Sequence, residues 1–153
     1  MGEVSAGLKS FYQGRRVLVT GSTGFKGAWL CRMLHILGAE VYGYALKPPT
    51  NPSLWDITKM DDCITNKVAD IRDIDCLTEV FNDFQPQVVL HLAAQPLVID
   101  GYENPRYTYE TNVMGTVNVL ECVRSCDATI SFLNVTTDKV YENLECPGYG
   151  YRE

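Results

Sequence analysis

The stretch VTGSTGFKGAWL, residues 19–30, places three glycines at intervals of three directly after an apolar run. We interpret Gly21 as the residue that allows a sharp turn and Gly24 as the residue that lets a pyrophosphate approach the backbone. Gly27 would let the following helix pack closely on the sheet. Glycine triplets also occur in ordinary tight turns, but the position between a strand and a helix favours dinucleotide binding.

Apolar runs and helical periodicity alternate along the rest of the chain. The predicted strands are 15–21, 40–46, 66–71, 87–94 and 130–137, and the predicted helices are 25–37, 73–84 and 105–125. The apolar residues that recur at helical spacing in the first helix are Trp29, Met33, Ile36 and Leu37. Asp73 is expected to cap the second helix and Pro105 to begin the third, whereas 47–63 reads as a loop with a short helical turn. This alternation predicts an α/β fold, a Rossmann-like doubly wound parallel sheet with strand order 3-2-1-4-5.

Composition narrows the class of protein. The 153 residues carry a net charge of −6 and are 46% hydrophobic, which is typical of one globular domain and argues against nucleic-acid binding. No apolar run is long enough to span a membrane, and the first residues lack a signal-peptide pattern, so we expect a cytoplasmic protein. We divide the chain into an N-terminal tail, 1–14, and an incomplete dinucleotide-binding domain, 15–153.

Cysteine and histidine give no metal pattern. The six cysteines contain no CxxC pair, so we expect reduced, buried thiols and no metal site. We interpret His91 as a core histidine with a satisfied ring and His35 as a residue on the helix surface.

The end of the second strand does not decide between NAD and NADP. An acidic residue is expected there to bind the ribose hydroxyls of NAD, but YALKPP (44–49) contains none. It also lacks an arginine for the 2′-phosphate of NADP, and Lys47 would serve only loosely. Local chemistry therefore leaves the choice of dinucleotide open.

Several motifs together resemble one family. TGFKG, VYGYALKPPTNPSLW, DIRD, HLAAQPLV, NVMGT and VTTDKVYEN occur in this order and are similar to those of the extended short-chain dehydrogenases/reductases, and more narrowly to the CDP-glucose 4,6-dehydratases. The resemblance extends from Phe11 to Glu153, and Lys26 and Lys139 are its most discriminating positions. It implies tightly bound NAD, a CDP-glucose substrate, a role in deoxysugar and lipopolysaccharide biosynthesis, and a homo-oligomer in the full-length form, with the helix 105–125 as a contact surface.

The resemblance also implies a cofactor site. Its pyrophosphate-binding residues are Gly21, Thr23, Gly24, Phe25, Lys26 and Gly27. Asp70 and Ile71 would meet the adenine, or else are only a strand end and helix cap. The segment Leu92, Ala93, Ala94 and Gln95 would run beside the cofactor, or is simply a buried strand; for Ala93 and Ala94 the two interpretations are compatible. Asn112 is either a site residue or a polar residue that bonds the backbone.

By the same resemblance, Thr137, Asp138 and Lys139 are catalytic. Thr137 would bond the sugar C4 hydroxyl, and Asp138 would protonate the leaving C6 hydroxyl after transient oxidation at C4. Lys139 would remove the C5 proton if desolvation lowered its pKa, or would orient the sugar by its charge. The alternative without function is a turn at the end of the strand whose charged side chains are solvated.

One expected catalytic pair does not occur in this sequence. The family uses Tyr-x-x-x-Lys for the oxidation, and none of the nine tyrosines is followed by lysine four residues later. We therefore expect a truncated dehydratase that is inactive alone and, with its fifth strand at a sheet edge, marginally stable or self-associating. Two alternatives stay open: a binding module for NAD or for a partner, and half of a sibling sugar-nucleotide epimerase.

Overall fold

The structure is a computed structural model, and it describes residues 2–137. The strands are β1 (Arg16–Thr20), β2 (Glu40–Ala45), β3 (Thr65–Val68), β4 (Val88–His91) and β5 (Ser131–Asn134). The helices are α1 (Gly2–Tyr12), α2 (Phe25–Ile36), α3 (Leu54–Ile57), α4 (Ile74–Phe84), α5 (Val98–Glu103), α6 (Pro105–Tyr109) and α7 (Gly115–Arg124). A 3-10 turn covers Met60–Asp62, and a π-helical segment, Glu110–Met114, joins α6 to α7.

The five strands form one parallel sheet in the order β3-β2-β1-β4-β5, which confirms the predicted topology. β1 lies at the centre because its apolar run, Val17 to Val19, is buried on both faces. In such a sheet the order reverses between β1 and β4, and ligands bind outside the carboxyl ends of the strands at this switch point.

Each face of the sheet has its own core. On one face, alternate strand residues such as Val17 and Leu90 pack against Ala28, Cys31 and Leu34 of α2. On the other face, residues such as Leu18 and Val89 pack against α4 and α7 through Leu77, Phe81 and Val119. Alternation of side chains along a strand sends neighbouring residues to opposite cores, so helices on both faces are needed to cover the sheet.

The packing of α2 differs from what its large apolar residues suggest. Its buried face consists of Gly27, Ala28, Cys31 and Leu34, whereas Trp29, Met33 and Ile36 are exposed. The first turns of this face carry small residues because the helix starts very close to the β1–α2 turn, where a Cβ on Gly27 would lie 2.0 Å from the Gly21 carbonyl oxygen. The predicted helix was therefore right, but its large apolar residues do not mark its buried face.

The N-terminal segment 1–14 contains a helix. Residues 2–12 form helix α1, and its last residue, Tyr12, packs against the α2-side core. The chain then turns at Gly14, whose backbone N–H donates to the Gly38 carbonyl at 2.8 Å. This bond ties the segment before β1 to the turn that follows α2.

The predicted helix 105–125 begins at Pro105, as expected, but it is not uniform. Five of its residues, Glu110–Met114, adopt π-helical geometry before regular α-helix resumes at Gly115. π-Helical segments of this kind occur frequently at functional sites. Asn112, one of the candidate site residues, lies in the middle of it.

Candidate functional site

The β1–α2 turn is shaped by backbone contacts that exclude side chains. Gly21 has φ +71°, and a Cβ added there would lie 2.8 Å from the backbone of Leu92 and Ala93. A Cβ on Gly27 would lie 2.0 Å from the Gly21 carbonyl oxygen. Gly27 therefore allows the first turn of α2 to approach the glycine turn closely. The contact is with the Gly21 backbone and not, as expected from the sequence, with the sheet.

This turn ends at the N-terminus of α2. The helix begins at Phe25, and Gly24, its N-cap, has no side chain to accept hydrogen bonds from the first turn. The first N–H groups of a helix point along its axis and carry the positive end of its dipole. The turn and helix start can thus bind an anion such as a phosphate at close range.

Two polar side chains attach the turn to the neighbouring strands. The buried Ser22 hydroxyl donates to Asn66 Oδ1 on β3 at 2.6 Å. This hydrogen bond passes over β2 at Gly43, which has no side chain to obstruct it. The buried Thr23 hydroxyl donates to the Leu46 carbonyl at 2.8 Å. Thr23 thus holds the turn against the end of β2.

The carboxyl end of β4 is bonded to the end of β1 through His91. This side chain is 1% exposed, its Nδ1 lies 2.6 Å from Thr20 Oγ1, and its Nε2 lies 3.1 Å from Thr116 Oγ1. Burial lowers the pKa of His91 to about 4, so the ring is neutral at neutral pH. The ring is satisfied, as the sequence predicts. His35, as expected, lies on the exposed side of α2.

Asn112 and Gln95 form a clamp between the π-helical segment and the chain beyond β4. The Gln95 backbone N–H donates to Asn112 Oδ1 at 2.7 Å, and Asn112 Nδ2 donates to the Gln95 carbonyl at 3.0 Å. The Gln95 side chain is itself buried and donates to Thr108 Oγ1 at 2.8 Å. Both residues therefore make the internal bonds that set the path of the 92–95 segment.

A cavity of about 900 Å³ opens beside these elements at the carboxyl edge of the sheet. It is bounded by α2, by the chain after β4, by the π-helical segment and by the chain after β5. Six of the predicted site residues line it: Lys26, Ala93, Ala94, Gln95, Asn112 and Thr137. Lys26 is the one charged side chain among the described residues that line the cavity.

Other lining residues were not among the predicted site residues. They are His91, Pro96, Val113, Thr116, Val117, Asn134, Val135 and Thr136. His91 and Thr116 lie in the quoted motifs HLAAQPLV and NVMGT, and this was the signal that could have found them. Asp138 and Lys139 lie outside the described residues.

Asp70 and Ile71 lie beyond the end of β3, next to the helix 105–124. The Asp70 carboxylate accepts from the Arg72 guanidinium at 2.8 Å, and this bond holds the pKa of Asp70 below its ordinary value. Ile71 is buried, and its Cγ2 would lie 2.6 Å from a Cβ on Gly115. Asn118 Nδ2 donates to the Ile71 carbonyl at 3.1 Å and so anchors this loop to α7.

The sequence comparisons identify the family. Residues 18–149 match the family model described as GDP-mannose 4,6 dehydratase. The chain belongs to this family. A curated relative, CDP-glucose 4,6-dehydratase of Salmonella typhimurium, is 50% identical over 95% of this chain, and the match covers 40% of the relative. The chain thus spans about two fifths of the length of the curated relatives it matches.

Solved structures of other proteins have the same fold as this chain. UDP-glucose 4-epimerase of Thermus thermophilus, in complex with NAD, is 30% identical with a TM-score of 0.65, over 74% of this chain and 35% of that one. UDP-glucose-4-epimerase from Stenotrophomonas maltophila has a TM-score of 0.76 at 23% identity, over 88% of this chain and 40% of that one, and shows the fold alone.

Neither a metal cluster nor a membrane span is found in this part of the dehydratase family member. Among residues 2–137, no three His, Cys, Asp or Glu side chains come together to hold a metal ion. Within the same residues, no helix has the length and apolar content needed to cross a membrane.

Proposed function

We propose that the chain forms the NAD-binding part of a sugar-nucleotide 4,6-dehydratase, a lyase that acts on CDP-glucose. The 50% identity to a CDP-glucose 4,6-dehydratase supports this substrate over the GDP-mannose of the family model's description. The NAD complex of the epimerase relative supports the cofactor. The proposal includes a cytoplasmic location and homo-oligomers.

The observation that carries the proposal is the side-chain-free binding surface at the switch point between β1 and β4. The side-chain-free surfaces of Gly21 and Gly27, with the uncapped start of α2, lie at the same sheet edge as the 900 Å³ cavity. An extended diphosphate fits against a helix N-terminus that no side chain covers. The residues present therefore fit a dinucleotide with its pyrophosphate on the turn.

The pyrophosphate would contact the backbone of Gly21, Gly24, Phe25 and Gly27, and the exposed Lys26 would add positive charge. Thr23 would act by holding the turn, since its hydroxyl is bonded to Leu46. In such enzymes NAD accepts and later returns a hydride.

The segment after β4 would lie along the cofactor. Ala93 and Ala94 bring small side chains to the cavity wall, which lets a ring approach the backbone. Leu92 is half-buried and packs against the α2-side core. Gln95 and Asn112 would keep this segment in place, because their amide groups bond each other and the adjacent backbone.

Asp70 and Ile71 would border the adenine. Arg72 orients the Asp70 carboxylate, and the Tyr44 hydroxyl donates to the Asp70 carbonyl at 2.9 Å. Asn118 holds the Ile71 carbonyl, so the backbone of this pair is fixed before any ligand binds.

Thr137 lines the cavity and would bond the sugar C4 hydroxyl. Asp138 would protonate the leaving hydroxyl, and Lys139 would act on the C5 proton or orient the sugar. Because the 153 residues contain no Tyr-x-x-x-Lys pair, we propose that this chain binds NAD but does not turn over substrate by itself.

The direct test is isothermal titration of NAD into the chain, with NADP as the comparison ligand. We expect saturable binding of NAD that is weakened by Gly24→Val, because a branched side chain at the helix start obstructs the phosphate. Gly7→Val in α1 is the matched control, since no atom lies within 4 Å of a Cβ added there. Absence of binding, or equal binding by Gly24→Val, would contradict the proposal.

The substrate requires a separate assay. Joined to the Tyr-x-x-x-Lys part of a family relative, the chain should release water from CDP-glucose and form a 4-keto-6-deoxy sugar nucleotide. Interconversion of UDP-glucose and UDP-galactose instead would favour the sibling epimerase. Firm NAD binding with no turnover of either substrate would favour a binding module.

A further inference from the structure

A chain of hydrogen bonds runs along the cavity floor from the end of β1 to the π-helical segment, with His91 at its centre. The backbone N–H groups of Leu92 and Ala93 each lie 3.2 Å from Thr20 Oγ1. Because a backbone N–H only donates, this hydroxyl oxygen accepts the Ala93 N–H and shares the Leu92 N–H with the Thr20 carbonyl oxygen, which lies 3.1 Å from Leu92 N. The hydroxyl hydrogen is directed to His91 Nδ1 at 2.6 Å. Nδ1 is therefore an acceptor and carries no hydrogen.

The other end of the chain fixes the second ring nitrogen. The Thr116 hydroxyl donates to the Asn112 carbonyl oxygen at 2.7 Å, and a carbonyl only accepts. Thr116 Oγ1 is thus left to accept from His91 Nε2, 3.1 Å away, so Nε2 carries a hydrogen. Together, the two ends require a neutral imidazole ring with its hydrogen on Nε2.

A charged ring does not fit this arrangement. Protonation would place an N–H on Nδ1 against Thr20 Oγ1, which already accepts the Ala93 N–H and shares the Leu92 N–H, and whose own hydrogen would lose its acceptor. The groups that face the ring, the Thr20 and Thr116 hydroxyls, are uncharged, and Lys26 is the charged side chain among the described residues that line the same cavity. Burial, the cause of the lowered pKa of His91, acts in the same direction.

The bond to Thr116 extends to the clamp at Asn112. Thr116 fixes the Asn112 carbonyl, while the Asn112 side chain holds the Gln95 backbone at both its N–H and its carbonyl. Thr20, which directly precedes Gly21, holds the start of the same segment at Leu92 and Ala93. His91 thus joins the two supports of the 92–95 segment.

We propose that His91, neutral with its hydrogen on Nε2, is a positioning residue that fixes the 92–95 segment relative to the glycine turn through Thr20 and Thr116. This inference rests on the proposed function, because the segment is the one expected to lie along NAD. His91 touches no cofactor in this account and acts through its two threonine partners.

The test compares three threonine variants of the chain. Thr116→Val keeps the shape but removes both hydrogen bonds, and we expect NAD to bind about tenfold more weakly at neutral pH. Thr116→Ser retains the hydroxyl and should bind within about threefold of wild type. Thr129→Val is the control, because Thr129 is equally half-buried and donates to a backbone carbonyl, that of Pro86, at the opposite end of β4.

A second readout separates positioning from a purely structural role. Nitrogen NMR of the labelled histidines should show His91 with a bare Nδ1 and a protonated Nε2 at neutral pH. Thr116→Val should alter the Nε2 signal and Thr129→Val should not. The proposal is overturned if His91 carries its hydrogen on Nδ1, or if Thr116→Val and Thr129→Val bind NAD equally well.

Failure of the proposed function and failure of the positioning role give different experimental results. If the wild-type chain does not bind NAD, the proposed function and the positioning role are both wrong, and the nitrogen spectra still decide the protonation of His91. If the wild type binds NAD and Thr116→Val binds it as tightly, the positioning role alone is wrong.

Discussion

The carboxyl ends of β1 and β4 lie side by side, but they are built by different means. The turn after β1 is fixed by backbone against backbone, with Gly27 so close to the Gly21 carbonyl that no side chain fits between them. The segment after β4 is held by side chains, through Thr20, His91 and Asn112. The turn after β1 depends on glycines that lack side chains, so added Cβ atoms should disturb it. The segment after β4 depends on which groups donate and accept hydrogen bonds, so removal or protonation of those groups should disturb it.

The largest effect is expected from filling the backbone contact. Gly27→Ala places a Cβ 2.0 Å from the Gly21 carbonyl oxygen, and backbone cannot move aside cheaply. We expect a loss of at least about 4 kcal/mol in the free energy of unfolding, measured by urea denaturation. Gly7→Ala, at a glycine of α1 whose added Cβ would have no atom within 4 Å, should be neutral or slightly stabilising. Equal stabilities for the two variants would refute the steric account of the turn.

The second-largest effect is a loss of folding stability at low pH, caused by His91 at the end of β4. The pKa of His91 is lowered from 6.5 to about 4 in the folded chain, so the unfolded chain binds an extra proton between these values. Stability contributed by the neutral ring is fully present above pH 6.5 and is lost as the pH falls towards 4, by about 3 kcal/mol in total.

The variant that tests this prediction is His91→Asn. It should reduce the pH dependence of unfolding, because it removes the group whose pKa is lowered by burial. If His91→Asn does not fold, titration of the wild-type ring by NMR gives the pKa directly. A midpoint near 6.5 would contradict the assignment.

A smaller effect is expected at Gly43, where a glycine leaves room for the hydrogen bond between Ser22 and Asn66. A Cβ on Gly43 would lie 2.2 Å from Asn66 Oδ1 and 2.7 Å from Ser22 Oγ, so Gly43→Ala should break the bond between these side chains. We expect a cost of about 1–2 kcal/mol, since side chains can rotate away. In a double-mutant cycle, Gly43→Ala and Asn66→Ala should cost less together than the sum of their separate effects. Strict additivity would show that the contact is unimportant.

The smallest effect should come from the surface ion pairs near Asp70. Arg72 bonds Asp70 at 2.8 Å and Glu110 at 3.1 Å, but these groups are partly solvated. Arg72→Gln should cost at most about 1 kcal/mol, and added salt should reduce the difference from wild type. A loss of several kcal/mol would mean that this loop depends on charge more than on Asn118 and Tyr44.

The same contrast explains what the sequence could predict. Glycine spacing between a strand and a helix is a local pattern, so the turn, the strand order and the start of the long helix at Pro105 could all be anticipated. The Asp73 cap was also predictable, and its side chain accepts from the Cys76 N–H at 3.0 Å.

The remaining features depend on contacts between distant residues. His91 is bonded to Thr20, 71 positions away, so its neighbours cannot be inferred from its own surroundings in the sequence. The exposed face of α2, with Trp29 and Met33, was missed because helical spacing shows that a helix forms but not which face meets the sheet. The π-helical turn at Asn112 has no reliable sequence signal of its own.

The most direct test of the account is an NMR titration of the chain with NAD, observed at the backbone amides. We predict that the amides of residues 21–27 and 92–95 shift together and saturate at one dissociation constant. The amides of Gln85, Gln87 and residues 129–131, at the opposite edge of the sheet, should remain unchanged. Shifts confined to that opposite edge, or none at all, would contradict a dinucleotide site at the carboxyl ends of β1 and β4.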